Sequence, residues 1–227
     1  MLQAFRGSRA PAWRTARPFA SCDRCGASPL PGPEFFWCQG CAAVPPASSA
    51  ASVDYFEALG FPTQYDVDWS TVGPRFQRLQ ARFEELARQG AEVPAVEAYV
   101  QRCMEAAREL REPLSRAEHL LRLRAARAPD RLAEPAPEVR ALEDQALSAE
   151  VEDSAALARV MERNAEGRRL AEARLVELLQ GEQWEGARRC LEEVWQRDRL
   201  RRRLEDLAIE NCEAATPAHS STVGGVE

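Results

Sequence analysis

Apolar residues recur every three or four positions from Asp54 to about Ile209, and glycines and prolines punctuate that stretch at short intervals. Two Cys-x-x-Cys pairs precede it. Together these observations predict an all-α protein with a small four-cysteine module at its N-terminal side. The composition agrees. Of 227 residues, 45% are hydrophobic and only 7% aromatic, which suits helices packed through Leu, Ala and Val better than a β-sandwich. No apolar run approaches the roughly 18–20 residues of a membrane span. The net charge of −6 argues against nucleic-acid affinity. All 30 basic residues are arginine, which reads as coding bias.

Residues 1–20 differ from the rest. Arg6, Arg9, Arg14 and Arg17 alternate with Leu2, Phe5, Trp13 and Phe19, and the first acid is Asp23. An arginine-bearing, acid-free start of this kind is expected to be a mitochondrial transit peptide, with the matrix as destination. Residues 21–44 hold the four cysteines, and 45–53, rich in Pro, Ala and Ser, are expected to be a linker.

The helices follow. Asp54 is placed to cap a short helix carrying Tyr55, Phe56 and Leu59, ended by Gly60 and Pro62. Phe76, Leu79, Phe83 and Leu86 stripe the next, which Gly90 stops. Pro94 suits the first position of a third helix, striped by Val96, Tyr99, Val100, Cys103, Ala107 and Leu110. Pro113 opens a fourth, with Leu114, Ala117, Leu120 and Leu121 facing inward. These helices make a first domain over 54–126. Pro129, Pro135 and Pro137 mark a hinge over 127–137.

A three-helix bundle is expected over 138–209. Val139, Leu142, Ala146 and Leu147 mark its first helix. Leu157, Val160, Met161, Leu175, Leu178 and Leu179 mark its second, with a weak stretch around Asn164 and Gly167. After a turn at Gly181, Trp184, Ala187, Leu191, Val194, Leu204 and Leu207 mark the third. Residues 210–227 lack periodicity and are expected to be a disordered tail.

Cys22 and Cys25 form one pair, Cys38 and Cys41 the other, twelve residues apart. Each turn offers two sulfurs, and two turns complete a tetrahedral four-thiolate shell that points to zinc. Gly26 and Gly40 relieve crowding near the metal. Two disulfides or an iron–sulfur cluster would use the same residues. A closed four-thiolate shell has no open position, so its role is structural. Cys103 and Cys190 lie on or beside apolar stripes and read as core thiols.

Several segments resemble the HscB, or Jac-type, J-domain co-chaperones of iron–sulfur cluster assembly. They are Asp54-Tyr55-Phe56-Glu57-Ala58-Leu59-Gly60-Phe61-Pro62, Arg75-Phe76-Gln77-Arg78-Leu79-Gln80, Pro113-Leu114-Ser115-Arg116-Ala117-Glu118-His119-Leu120-Leu121-Arg122-Leu123 and Gly181-Glu182-Gln183-Trp184-Glu185-Gly186-Ala187. Their order and spacing match over roughly residues 54–208, and animal mitochondrial members carry a four-cysteine zinc module in front. The resemblance implies an L-shaped molecule with an N-terminal J-domain and a C-terminal three-helix domain. It also implies an IscU-type scaffold and a DnaK-type chaperone as partners, the scaffold being handed over and the chaperone's ATPase stimulated.

The departures from that pattern bear on activity. Where the family has a His-Pro-Asp tripeptide that contacts the chaperone, this chain has Glu84, Glu85 and Leu86. Proline would break the helix. Glu-Glu-Leu continues it, so residues 75–89 are expected to be one helix. The family's scaffold-binding patch maps to Ala141, Leu142, Gln145, Ala146, Trp195 and Gln196, where Ala141, Gln145 and Ala146 replace two leucines and a glutamate and Gln196 replaces an aromatic.

Four readings follow: a working co-chaperone, a scaffold-binding adaptor that does not activate the chaperone, an accessory subunit of a larger mitochondrial complex, and an enzyme. The last is weakest, because there is no nucleophile–base pair, phosphate loop or open metal site. The basic run from Arg197 to Arg203 is interrupted by Asp198 and reads as a mixed-charge face. The expectation is a degenerate HscB-like interaction protein, non-catalytic, with the accessory-subunit reading behind it.

Overall fold

The computed structural model describes residues 22, 24–27, 36–148 and 154–215, and the described residues contain helices and no strands. Residues 1–20, expected to be a transit peptide, lie outside them. The helices are α1 (Ala47–Ala50), α2 (Tyr55–Ala58), α3 (Val72–Arg88), α4 (Val93–Arg111), α5 (Pro113–Arg124), α6 (Pro137–Ser148), α7 (Ser154–Gln180) and α8 (Trp184–Ala215). The chain divides into two compact units, Met1–His119 and Leu120–Glu227, so the division falls within α5.

In the first unit, α1, α2 and α3 all pack on α4. The sequence's punctuation sets the ends. Asp54 Oδ1 accepts the Glu57 N–H at 2.9 Å, capping α2. Gly60 and Gly90, with φ of +68° and +89°, end α2 and α3. At each the last turn closes in the same way: Phe61 N–H reaches Phe56 O, and Ala91 N–H reaches Leu86 O. The buried stripe of α4 is Ala95, Val96, Tyr99, Cys103, Ala106 and Leu110, so Ala106 takes the inward place expected of Ala107. Arg102 ties α4 to the segment before α2. Its guanidinium donates twice to Val53 O, at 2.8 and 2.6 Å, and lies over the Tyr55 ring. His119 Nε2 accepts the Tyr55 N–H at 3.1 Å.

The stretch expected to be a linker is built into this unit. It contains α1, and Ala50 and Val53 are buried. Small residues let the chain lie close against α4, so low side-chain volume here signals close packing and not freedom.

In the second unit α7 and α8 pair as an antiparallel hairpin and α6 lies against both. Val139, Leu142, Ala146, Leu157, Val160, Leu200 and Leu204 form a buried cluster between them. Leu147, expected inward, is exposed. The α7–α8 turn places its positive φ (+54°) at Glu182, one residue after Gly181. The weak stretch of α7 has a packing cause. Asn164 is buried and donates to Arg197 O at 2.9 Å. The Arg197 guanidinium lies so close over Gly167 that any Cβ there would collide with it.

Two further expectations change. The segment 127–137 is fastened along α8: Asp130 N–H donates to Glu192 Oε1 at 2.9 Å, Ala136 N–H to Gln196 Oε1 at 2.8 Å, and Gln196 Nε2 to Glu134 O at 2.7 Å. The prolines stop the helix, while polar side chains of α8 satisfy the backbone they leave open. The tail also starts later than expected, because α8 runs to Ala215. Residues after Asp206 are helix formers or neutral, and the first breaker is Pro217, outside the described residues.

Glu57 provides a test of the first unit. Burial, reinforced by the neighbouring Asp54 carboxylate, pushes its pKa from 4.5 up to about 7. The folded chain therefore holds this proton more tightly than the unfolded chain, and stability falls as pH rises from about 4.5 to about 7. Glu57→Gln is expected to remove that loss. In urea titrations the variant gains on the wild type through this window, and the gain levels off above it. Parallel pH profiles would show that Glu57 is not the group responsible.

Candidate metal centre

The two cysteine turns are built alike. In the first, Gly26 N–H donates to Cys22 O (2.7 Å) and Cys22 N–H to Ala27 O (2.9 Å). In the second, Ala42 N–H donates to Cys38 O (2.8 Å) and Cys38 N–H to Ala43 O (2.8 Å). Each turn needs a left-handed residue directly after its second cysteine. Gly26 takes it freely at φ +70°, whereas Ala42 takes it at φ +58° against a steric penalty of about 1–2 kcal/mol. Gly40 serves differently: a Cβ there would sit 3.5 Å from Cys25 Sγ and 3.7 Å from Cys38 Sγ.

These turns bring all four sulfurs within 4.8 Å of one another, with Cys22–Cys41 at 3.6 Å and Cys25–Cys38 at 3.4 Å. Four sulfurs about 2.3 Å from one tetrahedral ion stand roughly 3.8 Å apart, against about 2.05 Å in a disulfide. The close pairs also join one turn to the other, as a shared ion requires. The donor set fits a single metal ion, and all four cysteines are free thiols. Burial opposes ionisation of Cys38, but hydrogen bonds from the Cys41 and Gly40 N–H groups and from neighbouring thiols outweigh it, bringing its pKa down to about 7. Cys103 and Cys190 take no part. Both are buried, donating to Ala58 O and Ala171 O, and burial pushes their thiols up to about 12 and about 11.

The residues just before Cys38 are the ones that the periodicity and spacing did not single out. Phe36 is fully buried and Trp37 nearly so. The Phe36 ring lies 5.2 Å from Tyr99 and 6.0 Å from Phe83, and Trp37 meets Phe83 edge-on at 6.0 Å. The only available signal was a run of three large aromatics, Phe35, Phe36 and Trp37, beside a metal-ligand turn.

Glu84, Glu85 and Leu86 lie on the last turns of α3, which runs unbroken through them. Leu86 is fully buried beside Phe83 and Leu79 on the α3 stripe, as expected. Glu84 is exposed, accepting from Gln80 at 3.3 Å, and Glu85 pairs with Arg88 and accepts from Gln89. The expected scaffold-binding residues differ in burial, and Ala141 and Leu142 line one surface cavity. Leu142 and Ala146 belong to the core of the second unit. Gln196 is buried, holding Glu134 and Ala136, and Trp195 is half-buried beneath Arg131. Only Ala141 and Gln145 are exposed, and Gln145 accepts from Arg163. The inward spacing of 142 and 146 accounts for their burial. Most of the basic run has partners within the second unit. Arg197 pairs with Glu193, Arg201 with Glu205 and Arg203 with Glu143, while Arg199 donates to the carbonyls of Arg131 and Ala133.

The described residues, helices beside paired cysteine turns, have a fold like that of a solved co-chaperone. The crystal structure of human co-chaperone protein HscB matches it with a TM-score of 0.60, covering 84% of this chain and 99% of that one at 20% identity. Chaperone HscB from Vibrio cholerae is 26% identical, covering 70% of this chain and 99% of its own at a TM-score of 0.49. No family model and no curated protein matches the sequence. The expected HscB-like all-α fold is therefore borne out, as a likeness of fold.

Because Phe36 joins the cysteine turns to α3 and α4, metal and helices should be coupled, contrary to a loose tether. Phe36→Ala is expected to cost about 3–5 kcal/mol. Chelating the metal is expected to lower the helical unfolding midpoint in urea. If the circular-dichroism transition of the helices moves in neither case, the cysteine turns are a mere appendage.

Proposed function

We propose that this chain is an HscB-like co-chaperone-type interaction protein of mitochondrial iron–sulfur cluster biogenesis that does not stimulate its chaperone's ATPase. The unbroken course of α3 through Glu84, Glu85 and Leu86 carries the reading. In the resemblance, these positions belong to a loop whose histidine, proline and aspartate touch a DnaK-type chaperone. Here the proline's turn is replaced by helix, the aspartate's place by a fully buried leucine, and the histidine's place by an exposed carboxylate. The four thiolates hold one structural zinc ion, which fixes the turns and leaves no coordination position for chemistry. The protein binds partners and is not an enzyme. An IscU-type scaffold and a DnaK-type chaperone are the partners the resemblance supplies.

A second reading, an accessory structural subunit of a larger mitochondrial complex, is favoured by the burial of Leu142, Ala146 and Gln196. A chain that has lost both the tripeptide and an open scaffold-binding face keeps the fold and not its usual contacts.

Single-turnover ATP hydrolysis by the mitochondrial DnaK-type chaperone is expected to stay at its basal rate when this protein is added. Acceleration comparable to that given by a J-protein bearing His-Pro-Asp would refute the proposal. Reinstalling the tripeptide is a poorer test, since Leu86→Asp would place a carboxylate in the core.

The location is a separate proposal, motivated by the acid-free, arginine-bearing residues 1–20. A fluorescent fusion of the full chain is expected in the mitochondrial matrix, and one lacking residues 1–20 in the cytosol. Import of the shortened fusion would remove this segment as the signal.

A further inference from the structure

The four sulfurs of the cysteine turns differ in access. Cys22 and Cys38 are buried, 4% and 7% exposed, whereas Cys25 is exposed and Cys41 half-buried. The close contacts join the two kinds. Cys25 Sγ lies 3.4 Å from Cys38 Sγ, and Cys41 Sγ lies 3.6 Å from Cys22 Sγ. Each accessible sulfur therefore meets a buried one from the other turn. Gly40 leaves the first pair uncovered. It is exposed, and a Cβ there would sit 3.5 Å from Cys25 Sγ and 3.7 Å from Cys38 Sγ. An accessible thiolate backed by a second one is the arrangement that converts one oxidation event into a disulfide. The core thiols lack it: Cys103 and Cys190 are buried and donate to the carbonyls of Ala58 and Ala171.

We propose that the cysteine turns are an oxidation-sensitive clasp, closed by hydroperoxides into two cross-turn disulfides, Cys25–Cys38 and Cys22–Cys41, with loss of the metal ion. It rests on the zinc reading for the ion that is lost, and on the sulfur geometry alone for the pairing. Cys25 Sγ attacks one peroxide oxygen. The O–O bond breaks, hydroxide leaves, and Cys25 becomes a sulfenic acid. Cys38 Sγ then attacks Cys25 Sγ, forming the S–S bond and expelling a second hydroxide. Two protons from solvent turn both hydroxides into water. Two thiolates have lost two electrons and one peroxide has gained them. A second peroxide does the same at Cys41 and Cys22. An ion held only by these four thiolates then has no donors left.

Two arguments favour bridges across the turns over bridges within each Cys-x-x-Cys pair. The first is chain entropy. The cross-turn bridges span 19 and 13 residues, and the stabilisation a disulfide gives grows with the loop it closes. The second is the core. Phe36 and Trp37 hold the second turn against α3 and α4. A bridge to that turn keeps the first turn on the helices after the ion has gone, whereas a bridge within the first turn leaves it untied. Oxidation therefore releases the ion and keeps the fold, which chelation does not.

The test treats the full reduced chain, loaded with zinc, with hydrogen peroxide. Released zinc is followed with a chromogenic chelator, and disulfides are mapped by proteolysis in acid and mass spectrometry. Zinc is expected to leave as the thiols disappear, and the map to show Cys25–Cys38 and Cys22–Cys41. Dimedone added during the reaction is expected to mark Cys25 or Cys41 and neither Cys22 nor Cys38. Cys212→Ser, which removes the other exposed thiol, should give the same map. Gly40→Val, which covers the Cys25–Cys38 pair, is expected to slow disulfide formation while zinc stays bound. In urea the oxidised chain should keep a helical unfolding midpoint above that of the chelated, reduced chain, and dithiothreitol with zinc should restore the starting state. Bridges within the turns, dimedone on Cys22 or Cys38, sulfinic acids in place of disulfides, or thiols unchanged in excess peroxide would each overturn the proposal. Zinc measured before peroxide is added tests the zinc reading separately: if none binds, that reading fails, and the map of the metal-free thiols still decides the pairing.

Discussion

The contact on which the first unit depends is the aromatic cluster of Phe36, Trp37, Phe83 and Tyr99. Phe83 belongs to α3 and Tyr99 to α4, and their rings stack 6.5 Å apart. Phe36 and Trp37 are the two residues before Cys38, so the second cysteine turn drives both rings against that pair. The consequence runs in both directions. A metal ion shared by the four sulfurs would fix the turns and thereby hold two large side chains in the core. The core in turn buries Cys22 and Cys38, which a module of this size lacks the apolar surface to do alone. The Tyr99 hydroxyl marks how dry the contact is: it is buried without a partner, and burial alone keeps it protonated far above the usual range.

The same cluster explains why α3 stays helical to Arg88. Leu86 follows Phe83 by three residues and Leu79 by seven, so all three face α4. A proline at 85 would remove a hydrogen bond one residue before the side chain that completes the stripe. The helix instead ends at Gly90, whose left-handed conformation lets Ala91 N–H reach back to Leu86 O. The residue that fills the core is thus the one whose carbonyl receives the closing hydrogen bond. Burial and helix termination are satisfied by one position, which leaves no room there for a loop.

Much of this was legible in the sequence because each signal had a single local cause. Asp54, Gly60 and Gly90 mark helix ends through capping and left-handed backbone, and those ends are where they were expected. The paired cysteines announce a tetrahedral donor set through spacing alone. What was not legible depends on long-range contacts. The Pro-Ala-Ser stretch before Val53 resembles a linker until α4 is placed against it. The proline segment before α6 resembles a hinge until Glu192 and Gln196, some sixty residues later, supply its hydrogen bonds. Leu142 and Ala146 were assigned to a binding face through resemblance, although their own helical spacing already placed them inward.

The distribution of charge separates the two kinds of arginine in this chain. On α8 the guanidinium groups have local tasks. Arg188 pairs with Glu192 at 2.6 Å, Arg197 with Glu193 at 2.8 Å, and Arg199 holds the carbonyls of residues 131 and 133. Both pairs lie largely out of solvent, and each guanidinium is neutralised by a carboxylate one turn away on the same helix. On α3 the face beside the cysteine turns is arranged otherwise. Arg75 and Arg82 are held by rings and a carbonyl, contacts that fix the position of a cation without neutralising it. An uncompensated cation costs least where solvent reaches it, and Arg78 is exposed while its two neighbours are half-buried. Positive charge is therefore held in place beside the turns whose four sulfurs are placed to share one metal ion.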